Sequence, residues 1–413
     1  MRSSVLRVGL VLPRRFGLRS HVNRKPCRWK LTFSQKVTYF SKLKLDVRAS
    51  MKIDRIHFYV EDATASRDWF VRIMGFQEVA RMSCNHTRSY VVKSQAVYFA
   101  LSSPLTSASP VAEYLRLHPP GVADVAFRVS DVEAVMERAV NGGAKVLQPI
   151  QQQHLSNGYV KWGKIAAWGS LSHTLIEVRG NESFLIPQIP LALDKKLLTN
   201  EKEVFTGIDH VVLNVAAGDL ERAVAWYENA LGFHPQQSFA IQTEKSGLRS
   251  QVMVDPSGGV QLPINEPTSA NSQIQEFLDV NRGAGIQHIA LQTPNIVKAI
   301  AHLRDSGLSF LPVPSSYYTQ LRQRHPKRDL PAAEWEAIAA QEILVDWHSE
   351  DASQALLLQT FTQPIFREPT FFFELIERLK QARGFGEGNF RALFEAIERE
   401  QLKRGSLERS DTV

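Results

Sequence analysis

The feature that most constrains the fold of this chain is an internal repeat that relates its two halves. The run IDRIHFYV at 53–60 matches IDHVVLNV at 208–215. Each run is followed by a helical pattern that ends at Gly-Phe, at 75–76 and at 232–233, and glycine is a natural helix stop. The two halves are therefore predicted to be copies of one structural unit.

A second pair of matching runs completes each half. The segments at 120–129 and 283–292 correspond, and both lead into helical patterns, at 131–142 and 295–306, that end in glycine. Closing strands are predicted near 172–178 and 371–376. Short strands with period-two alternation, mixed with helices, predict an α+β fold that uses a strand–helix–strands unit four times.

A segment rich in proline and charge separates the two halves. It contains Pro187, Pro190 and the charged run at 194–196, a composition typical of a linker between domains. The predicted division is a leader at 1–50, a first domain at 51–187, a linker at 188–203 and a second domain at 204–413.

The basic character of the chain belongs to the leader. The whole chain has 49 Lys and Arg against 42 Asp and Glu, a net charge of +7. Residues 1–50 hold 13 of the basic residues and one acid, which leaves 36 basic and 41 acidic residues in the rest. The folded body is therefore slightly acidic, and the overall charge does not predict nucleic-acid binding.

The leader allows three interpretations. Its Arg and Ser content and its lack of acids resemble an organellar transit peptide. It is also consistent with a disordered basic tail, or with upstream sequence translated from a mis-called start. We favour the last interpretation because a clean strand pattern begins at Met51, and it predicts a cytoplasmic protein.

The composition narrows the chemistry of any metal site. No apolar run approaches the roughly 18–20 residues of a membrane helix, so no membrane association is predicted. The two cysteines, Cys27 and Cys84, are isolated, which excludes a disulfide scaffold and a thiolate zinc site. Any metal must be held by histidine and carboxylate.

Three polar residues interrupt apolar strand patterns in the second half. They are His210, His288 and Glu374. A buried polar group without a partner costs free energy, so each needs a reason to be there. Two imidazoles and one carboxylate are the ligand set of non-heme Fe(II) oxygenases, which leave one face of the metal open.

The repeat supplies a test of this metal hypothesis. Arg55 is expected at the position of His210, and Asp124 at the position of His288. Glu177 is expected to match Glu374. The first domain thus lacks the two imidazoles, which favours a metal site in the second domain over two structural histidines held by backbone hydrogen bonds.

Several motifs of the second half point to one family. They follow one another as QLPINEP at 261–267, GAGIQHIA at 283–290, PSSYY at 314–318, LLQTFT at 357–362, FFFELIER at 371–378 and GFGEGNF at 384–390. In this order they resemble the 4-hydroxyphenylpyruvate dioxygenase family. The likeness runs from about 51 to 407 and is most specific after 206.

The resemblance implies a fold and a set of site residues. The fold is α+β, with two vicinal-oxygen-chelate domains, each built from paired βαβββ modules that form an open curved barrel, and a C-terminal helix. His210, His288 and Glu374 are implied to bind one Fe(II) per chain. The residues implied around the substrate are Ser250, Asn265, Gln273, Gln287, Gln359, Phe361, Phe385 and Asn389, of which Phe361 and Phe385 would flank the aromatic ring.

The resemblance also implies the reaction. The substrates are 4-hydroxyphenylpyruvate and O2, and decarboxylation, ring hydroxylation and side-chain migration give homogentisate and CO2. No catalytic side chain beyond the iron ligands is implied, because the protein supplies positioning and exclusion of water. A homo-oligomer, a dimer or a tetramer, is implied as well.

Three alternatives stay open. Hydroxymandelate synthase, a relative with the same triad and substrate, hydroxylates the side chain instead, and Phe361 favours ring attack. A non-catalytic small-molecule-binding protein is the alternative from another class. The glycine run at 384–388 and the amphipathic stretch from about 389 to 403 predict either a mobile lid or a plain packed helix.

Overall fold

The computed structural model describes residues 50–155, 157–180, 204–243, 246–324, 330–347 and 355–405. The predicted leader, apart from its last residue, and the predicted linker at 188–203 lie outside the described residues. Two eight-stranded sheets, both within one compact unit, form the body of the protein, and helices accompany each. Within the described residues, no helix has the length and apolarity that crossing a membrane requires.

The first sheet is built by the first half of the repeat. Its strands are β1 (Lys52–Tyr59), β2 (Gln77–Ser83), β3 (Thr87–Ser94), β4 (Val97–Pro104), β5 (Gly121–Arg128), β6 (Val146–Leu155), β7 (Gly158–Ala166) and β8 (Ser172–Arg179), and its helices are α1 (Ala63–Arg72), α2 (Pro110–Leu117) and α3 (Val132–Asn141). The strand order is β2-β3-β4-β1-β5-β8-β7-β6.

The second sheet repeats this arrangement. Its strands are β9 (Gly207–Asn214), β10 (His234–Gln242), β11 (Gly247–Val254), β12 (Gln261–Pro267), β13 (Gly285–Gln292), β14 (Leu344–Trp347), β15 (Leu356–Phe361) and β16 (Phe372–Leu379), and its helices are α4 (Leu220–Leu231), α5 (Gln273–Asn281), α6 (Ile296–Asp305), α7 (Ser315–Arg324), α8 (Ala332–Ala340) and α9 (Phe390–Arg404). The order is β10-β11-β12-β9-β13-β16-β15-β14.

Each sheet consists of two βαβββ modules joined at one antiparallel pair. In the first sheet, β1 is parallel to β4 and antiparallel to β5. In the second sheet, β9 is likewise parallel to β12 and antiparallel to β13. The α+β fold of two vicinal-oxygen-chelate domains with a C-terminal helix is therefore confirmed. Helices α7 and α8 have no counterpart among the described elements of the first half.

Helix capping follows the sequence in both halves. The Asp131 carboxylate accepts a hydrogen bond from Ala134 N at 2.9 Å at the start of α3, and Asn295 accepts one from Lys298 N at 2.9 Å at the start of α6. Glycine has a different role at Gly142, after α3. A Cβ there would lie 2.6 Å from the backbone of Asn229 on α4, so only glycine permits this close approach of the two domains.

The register of the strands tests the predicted correspondence between the halves. Arg55 pairs with Ala126 as His210 pairs with Ala290, so Arg55 occupies the position of His210. The same registers place Asp124 at the position of His288. These two matches are confirmed.

The third match is wrong. Asp124 pairs with Ser172, whereas His288 pairs with Phe372, so Thr174 occupies the position of Glu374. Glu177 corresponds instead to Glu377. Glu177 accepts from Val132 N at 3.0 Å and Glu377 from Ile296 N at 2.7 Å, so both carboxylates cap the helix that follows their sheet's central strand. The sequence match failed because the second segment has two acids three residues apart, Glu374 and Glu377, and only the strand pairing decides which of them corresponds to Glu177.

An ion pair fills the first domain at the position of the candidate metal site. Lys164 Nζ lies 3.3 Å from Asp124 Oδ1, and Ser172 and Thr174 donate hydrogen bonds to the same carboxylate. Burial raises the pKa of Asp124, but the Lys164 ammonium and the Ser172 hydroxyl outweigh it and hold the pKa below its ordinary value. The ion pair therefore contributes stability when the pH is above the ordinary pKa of an aspartate. This contribution is lost as the pH falls through the lowered pKa of Asp124.

Replacing Lys164 should expose the cost of this buried carboxylate. Lys164→Met is expected to lower the free energy of unfolding by about 2 kcal/mol, because Asp124 loses its cation while staying buried. Urea denaturation monitored by circular dichroism measures the change. Lys161→Met is the matched control, since Lys161 pairs at 2.6 Å with the largely exposed Glu133, and a change below about 1 kcal/mol is expected there. Equal losses in the two variants would contradict this account.

Candidate metal centre

Three strands of the second sheet bring the candidate ligands together. His210 lies on β9, His288 on β13 and Glu374 on β16, and these strands are neighbours in the sheet. His210 Nε2 is 3.2 Å from Glu374 Oε2, and His288 Nε2 is 3.7 Å from the same oxygen. All three residues are buried, and one ligand atom from each lies within 4.8 Å of the others.

A buried carboxylate orients His210. Asp209 Oδ1 accepts a hydrogen bond from His210 Nδ1 at 2.9 Å, which turns Nε2 of the ring towards Glu374. Arg378 binds both oxygens of Asp209 at 2.7 Å. Burial raises the pKa of Asp209, but the hydrogen bonds from Arg378 and His210 hold that pKa well below its usual range. Asp209 is therefore a charged acceptor behind the ring.

The charges of the cluster favour a cation at its centre. Burial lowers the pKa of His210, but Glu374 and Asp209 outweigh it and raise the pKa to about 9. Burial and the neighbouring His210 hold the pKa of His288 well below its ordinary value, so His288 is a neutral ring with a free lone pair. The two carboxylates thus create a negative potential that one positive charge compensates.

Aromatic packing holds the His288 ring. It stacks on Phe372 with ring centroids 4.8 Å apart and an interplanar angle of 17°. Its Nδ1 lies 3.3 Å from Gln287 Oε1. The ring is therefore fixed by an aromatic face on one side and by an amide at its far nitrogen.

A side-chain amide holds the remaining ligand. Gln359 Nε2 donates to Glu374 Oε1 at 2.8 Å, which leaves Oε2 facing the two imidazoles. Gln359 Oε1 in turn accepts from Asn389 Nδ2 at 2.9 Å. The hydrogen bond to Oε1 therefore fixes the orientation of the Glu374 carboxylate, and Oε2 faces the two imidazoles.

The candidate ligands face a large cavity. It holds about 660 Å³ of space, part of it open to solvent. Seven of the eight residues predicted around the substrate line it, namely Ser250, Asn265, Gln273, Gln287, Gln359, Phe361 and Phe385. Among the described residues, Gln273 Oε1 is buried without a hydrogen-bond partner, so it is an acceptor available to a ligand.

Asn389 is the eighth residue predicted around the substrate, and its contact with a substrate stays a prediction. Its buried side chain hydrogen-bonds to Gln359 and Tyr317 and is not among the residues that line the cavity. Asn389 immediately precedes α9, and the sequence resemblance could only place it near the lid. Which neighbour its amide meets is decided by the packing of Tyr317 from α7, a residue far away in the chain.

The C-terminal helix forms one wall of the cavity. Phe390, Leu393, Phe394 and Ile397 line it from α9, at the spacing of one helical face. The amphipathic stretch predicted from about 389 to 403 is confirmed as a helix whose apolar side covers the cavity. Asp209, Arg378 and Tyr317 are the site residues that sequence reasoning missed, although Asp209 stands next to His210 inside an apolar run.

Comparison with protein families identifies both halves of the chain. Two models of the glyoxalase/bleomycin resistance protein/dioxygenase superfamily match, one at residues 54–160 and one at 207–332. These spans run from β1 to the start of β7 and from β9 to the start of α8. Each eight-stranded sheet therefore contains one match to a model of this superfamily, in agreement with the duplicated strand order.

The relatives cover most of the chain. The 4-hydroxyphenylpyruvate dioxygenase of Coccidioides posadasii is 38% identical over 379 residues, which are 86% of this chain and 94% of that protein. The 4-hydroxyphenylpyruvate dioxygenase of Dictyostelium discoideum is 38% identical over 368 residues, which are 86% of this chain and 99% of that protein. A solved mutant of 4-hydroxymandelate synthase from Streptomyces coelicolor superposes with a TM-score of 0.76 at 28% identity, covering 86% of this chain and 99% of that one. The chain therefore belongs to the 4-hydroxyphenylpyruvate dioxygenase family of dioxygenases.

Proposed function

We propose that this protein is a 4-hydroxyphenylpyruvate dioxygenase that uses one Fe(II) and O2 to form homogentisate and CO2. The observation that carries the proposal is the convergence of two imidazoles and one carboxylate at the wall of an aromatic cavity. The names of the relatives at 38% identity support the same reaction.

The donor set fits a divalent iron. Donor atoms bound about 2.1 Å from one ion lie roughly 3 to 4 Å apart, which agrees with the 3.2 and 3.7 Å between each imidazole and Glu374. Two imidazole nitrogens and one carboxylate on one face are the ligands of non-heme Fe(II) oxygenases, and His210 would release its Nε2 proton when the ion binds. When bound, the iron would supply the activation of O2, and a 2-oxo acid carries its own two oxygen ligands for the open face.

The cavity matches the rest of the substrate. Phe361 and Phe385 stand on its wall and would confine a flat aromatic ring between apolar faces. The phenol hydroxyl needs a hydrogen-bond partner once it is buried, and the unpaired Gln273 Oε1 is an acceptor of that kind. Ser250 and Asn265 complete a polar group on adjacent strands, at paired positions of β11 and β12.

Helix α9 excludes water from the reaction. Its apolar face closes the side of the cavity that the sheet leaves open. An enclosed apolar site protects reactive species from side reactions and strengthens the interactions of the charged groups inside it. We assign α9 the role of a lid that admits substrate by moving about the glycines at 384–388. The homo-oligomeric state and the cytoplasmic location stay predictions.

Hydroxymandelate formation is the second candidate function. The similarity to the structure of a 4-hydroxymandelate synthase mutant favours it. Phe361 opposes it, because its ring lies 6.4 Å from the His288 ring, centroid to centroid, and narrows the space beside the metal. A smaller aliphatic residue there would leave room for the substrate to turn its side chain towards the oxidant.

Product identification is the direct test of the function. Incubation with Fe(II), O2 and 4-hydroxyphenylpyruvate is expected to give homogentisate and CO2 in equal amounts, measured by chromatography and mass spectrometry. Heat-denatured protein is the control for uncatalysed oxidation. 4-Hydroxymandelate as the main product would establish the second candidate, and no substrate-dependent O2 uptake would refute both.

Removal of one imidazole tests the metal ligands. His288→Ala is expected to abolish stoichiometric iron binding and O2 uptake together, because two ligands cannot hold the ion in the required geometry. Iron content by atomic absorption and O2 uptake by electrode are the measurements. His302→Ala removes an exposed histidine on α6 and should leave both unchanged. Retention of iron by His288→Ala would refute the assignment.

Phe361 tests the preference for ring attack. Phe361→Leu is expected to divert a measurable fraction of product from homogentisate to 4-hydroxymandelate, since the ring of the substrate loses one confining face. Product ratios by liquid chromatography report the change. Phe366→Leu is the control, because Phe366 packs against Phe58 and Phe371 away from the cavity. An unchanged ratio with normal turnover would show that Phe361 does not set the position of attack.

A further inference from the structure

Two hydrogen-bonded connections join the segment before α9 to the candidate metal ligands. We propose that Tyr317 and Arg378 are positioning residues, which couple the docking of α9 to the orientation of Glu374 and His210. Metal binding and closure of the cavity would then stabilise each other. This inference rests on the proposed metal centre and extends it to residues outside the cavity.

The first connection ends at Glu374. The Tyr317 hydroxyl accepts from Val345 N at 2.8 Å, and its single proton faces two acceptors, Asn389 Oδ1 at 2.7 Å and Val345 O at 3.0 Å, of which Asn389 is the nearer. Asn389 Nδ2 donates to Gln359 Oε1 at 2.9 Å, and Gln359 Nε2 donates to Glu374 at 2.8 Å. Asn389 and Gln359 each accept with the amide oxygen and donate with the amide nitrogen towards Glu374, so the Tyr317 hydroxyl at the far end favours this orientation of both amides.

The second connection ends at His210. One guanidinium, that of Arg378, binds both oxygens of Asp209 and donates from Nη1 to Gly384 O at 2.9 Å. Asp209 accepts the hydrogen bond of His210 Nδ1. The rigid guanidinium of Arg378 therefore binds two groups at once. One is the backbone before Phe385, and the other is the Asp209 carboxylate that orients the His210 ring.

The segment between these attachments packs directly on the site. The Phe385 ring lies 5.2 Å from the His210 ring, centroid to centroid. Gly386 has a φ of +77°, and a Cβ there would overlap the Gln359 side chain. The backbone at 384–389 can lie against Gln359 only because this position is glycine, and its departure would release Gln359 and Arg378 together.

Coupling of this kind works in both directions. If the docked helix improves the orientation of the ligands, then a bound metal must favour the docked helix by the same factor. A purely structural role for Tyr317 would lower the stability of the fold without making helix release depend on the metal. The dependence on the metal separates the two roles.

Metal affinity is the first measurement. Co(II), whose visible absorption reports its ligands, is titrated into the full chain and into Tyr317→Phe. The variant is expected to bind about 10-fold more weakly, as do proteins that lose an outer hydrogen-bond partner of a metal ligand. Tyr318→Phe is the matched control, because Tyr318 is the neighbouring buried tyrosine and its hydroxyl donates to the backbone carbonyl of Ile343 at 3.1 Å. Its affinity should equal that of the parent.

Trypsin cleavage at Lys380 and Arg383 is the second measurement, because both bonds lie in the segment before α9. Saturating Co(II) is expected to slow cleavage in the parent and in Tyr318→Phe, and to slow it much less in Tyr317→Phe. Arg378→Lys keeps the charge but loses the bidentate contact with Asp209, so it should behave like Tyr317→Phe. If Tyr317→Phe does not fold, Arg378→Lys is the variant that tests the coupling. Its control is Arg304→Lys, since Arg304 donates to Glu342 and to the Gln341 carbonyl, groups that belong to neither connection.

The outcomes separate the coupling from the proposed function. Unchanged Co(II) affinity in Tyr317→Phe and Arg378→Lys, or cleavage of the parent at a rate independent of Co(II), would overturn the coupling and leave the metal centre standing. Failure of the parent to bind Co(II) at all would overturn the proposed metal centre and the coupling with it. Weaker affinity together with lost protection would establish the coupling whichever product the enzyme forms.

Discussion

The ion pair between Arg378 and Asp209 is the interaction on which the candidate metal centre depends. It holds a negative charge behind His210 in the buried interior of the second sheet. An isolated carboxylate at this depth would bind a proton, and the ring would lose its acceptor. With the guanidinium in place, Asp209 stays charged, His210 presents Nε2 to Glu374, and the site attracts a cation. The same guanidinium fastens the segment that leads into α9.

The duplicated fold shows two solutions to one electrostatic problem. Both sheets carry polar residues at the same three register positions of their central strands. In the first sheet an ammonium from β7 neutralises Asp124, and hydroxyls complete its hydrogen bonds. In the second sheet Phe361 occupies the position of Lys164, because Phe361 pairs with Glu374 as Lys164 pairs with Thr174. Replacing an internal cation with an aromatic ring leaves space and negative charge, which suit a metal ion and a flat substrate.

Much of the candidate site could be predicted from the sequence, and the failures have a common cause. The three candidate ligands and six of the seven cavity residues lie in strands or at a helix start, and Phe385 lies in the bend between β16 and α9. The ligands were found from their residue types within apolar strand patterns, and the cavity residues from the family resemblance. Glu177 was matched wrongly because strand register depends on pairing between distant segments. Asn389 was included around the substrate because the family resemblance puts it on the helix that closes the pocket. Its own contacts come from Tyr317 and Gln359, which the sequence places 72 and 30 residues away.

The duplicated α+β fold, the pair of domains and the residue types of the candidate metal centre could be predicted from the amino-acid sequence alone, because they depend on local periodicity and on chemistry that each residue carries by itself. The tertiary structure decided which carboxylate faces the histidines, which oxygen of that carboxylate is free, and which residues hold the ligands from behind. Those features depend on distances between side chains that are remote in the chain. They arise only when β9, β13 and β16 pair and the segment before α9 closes over them.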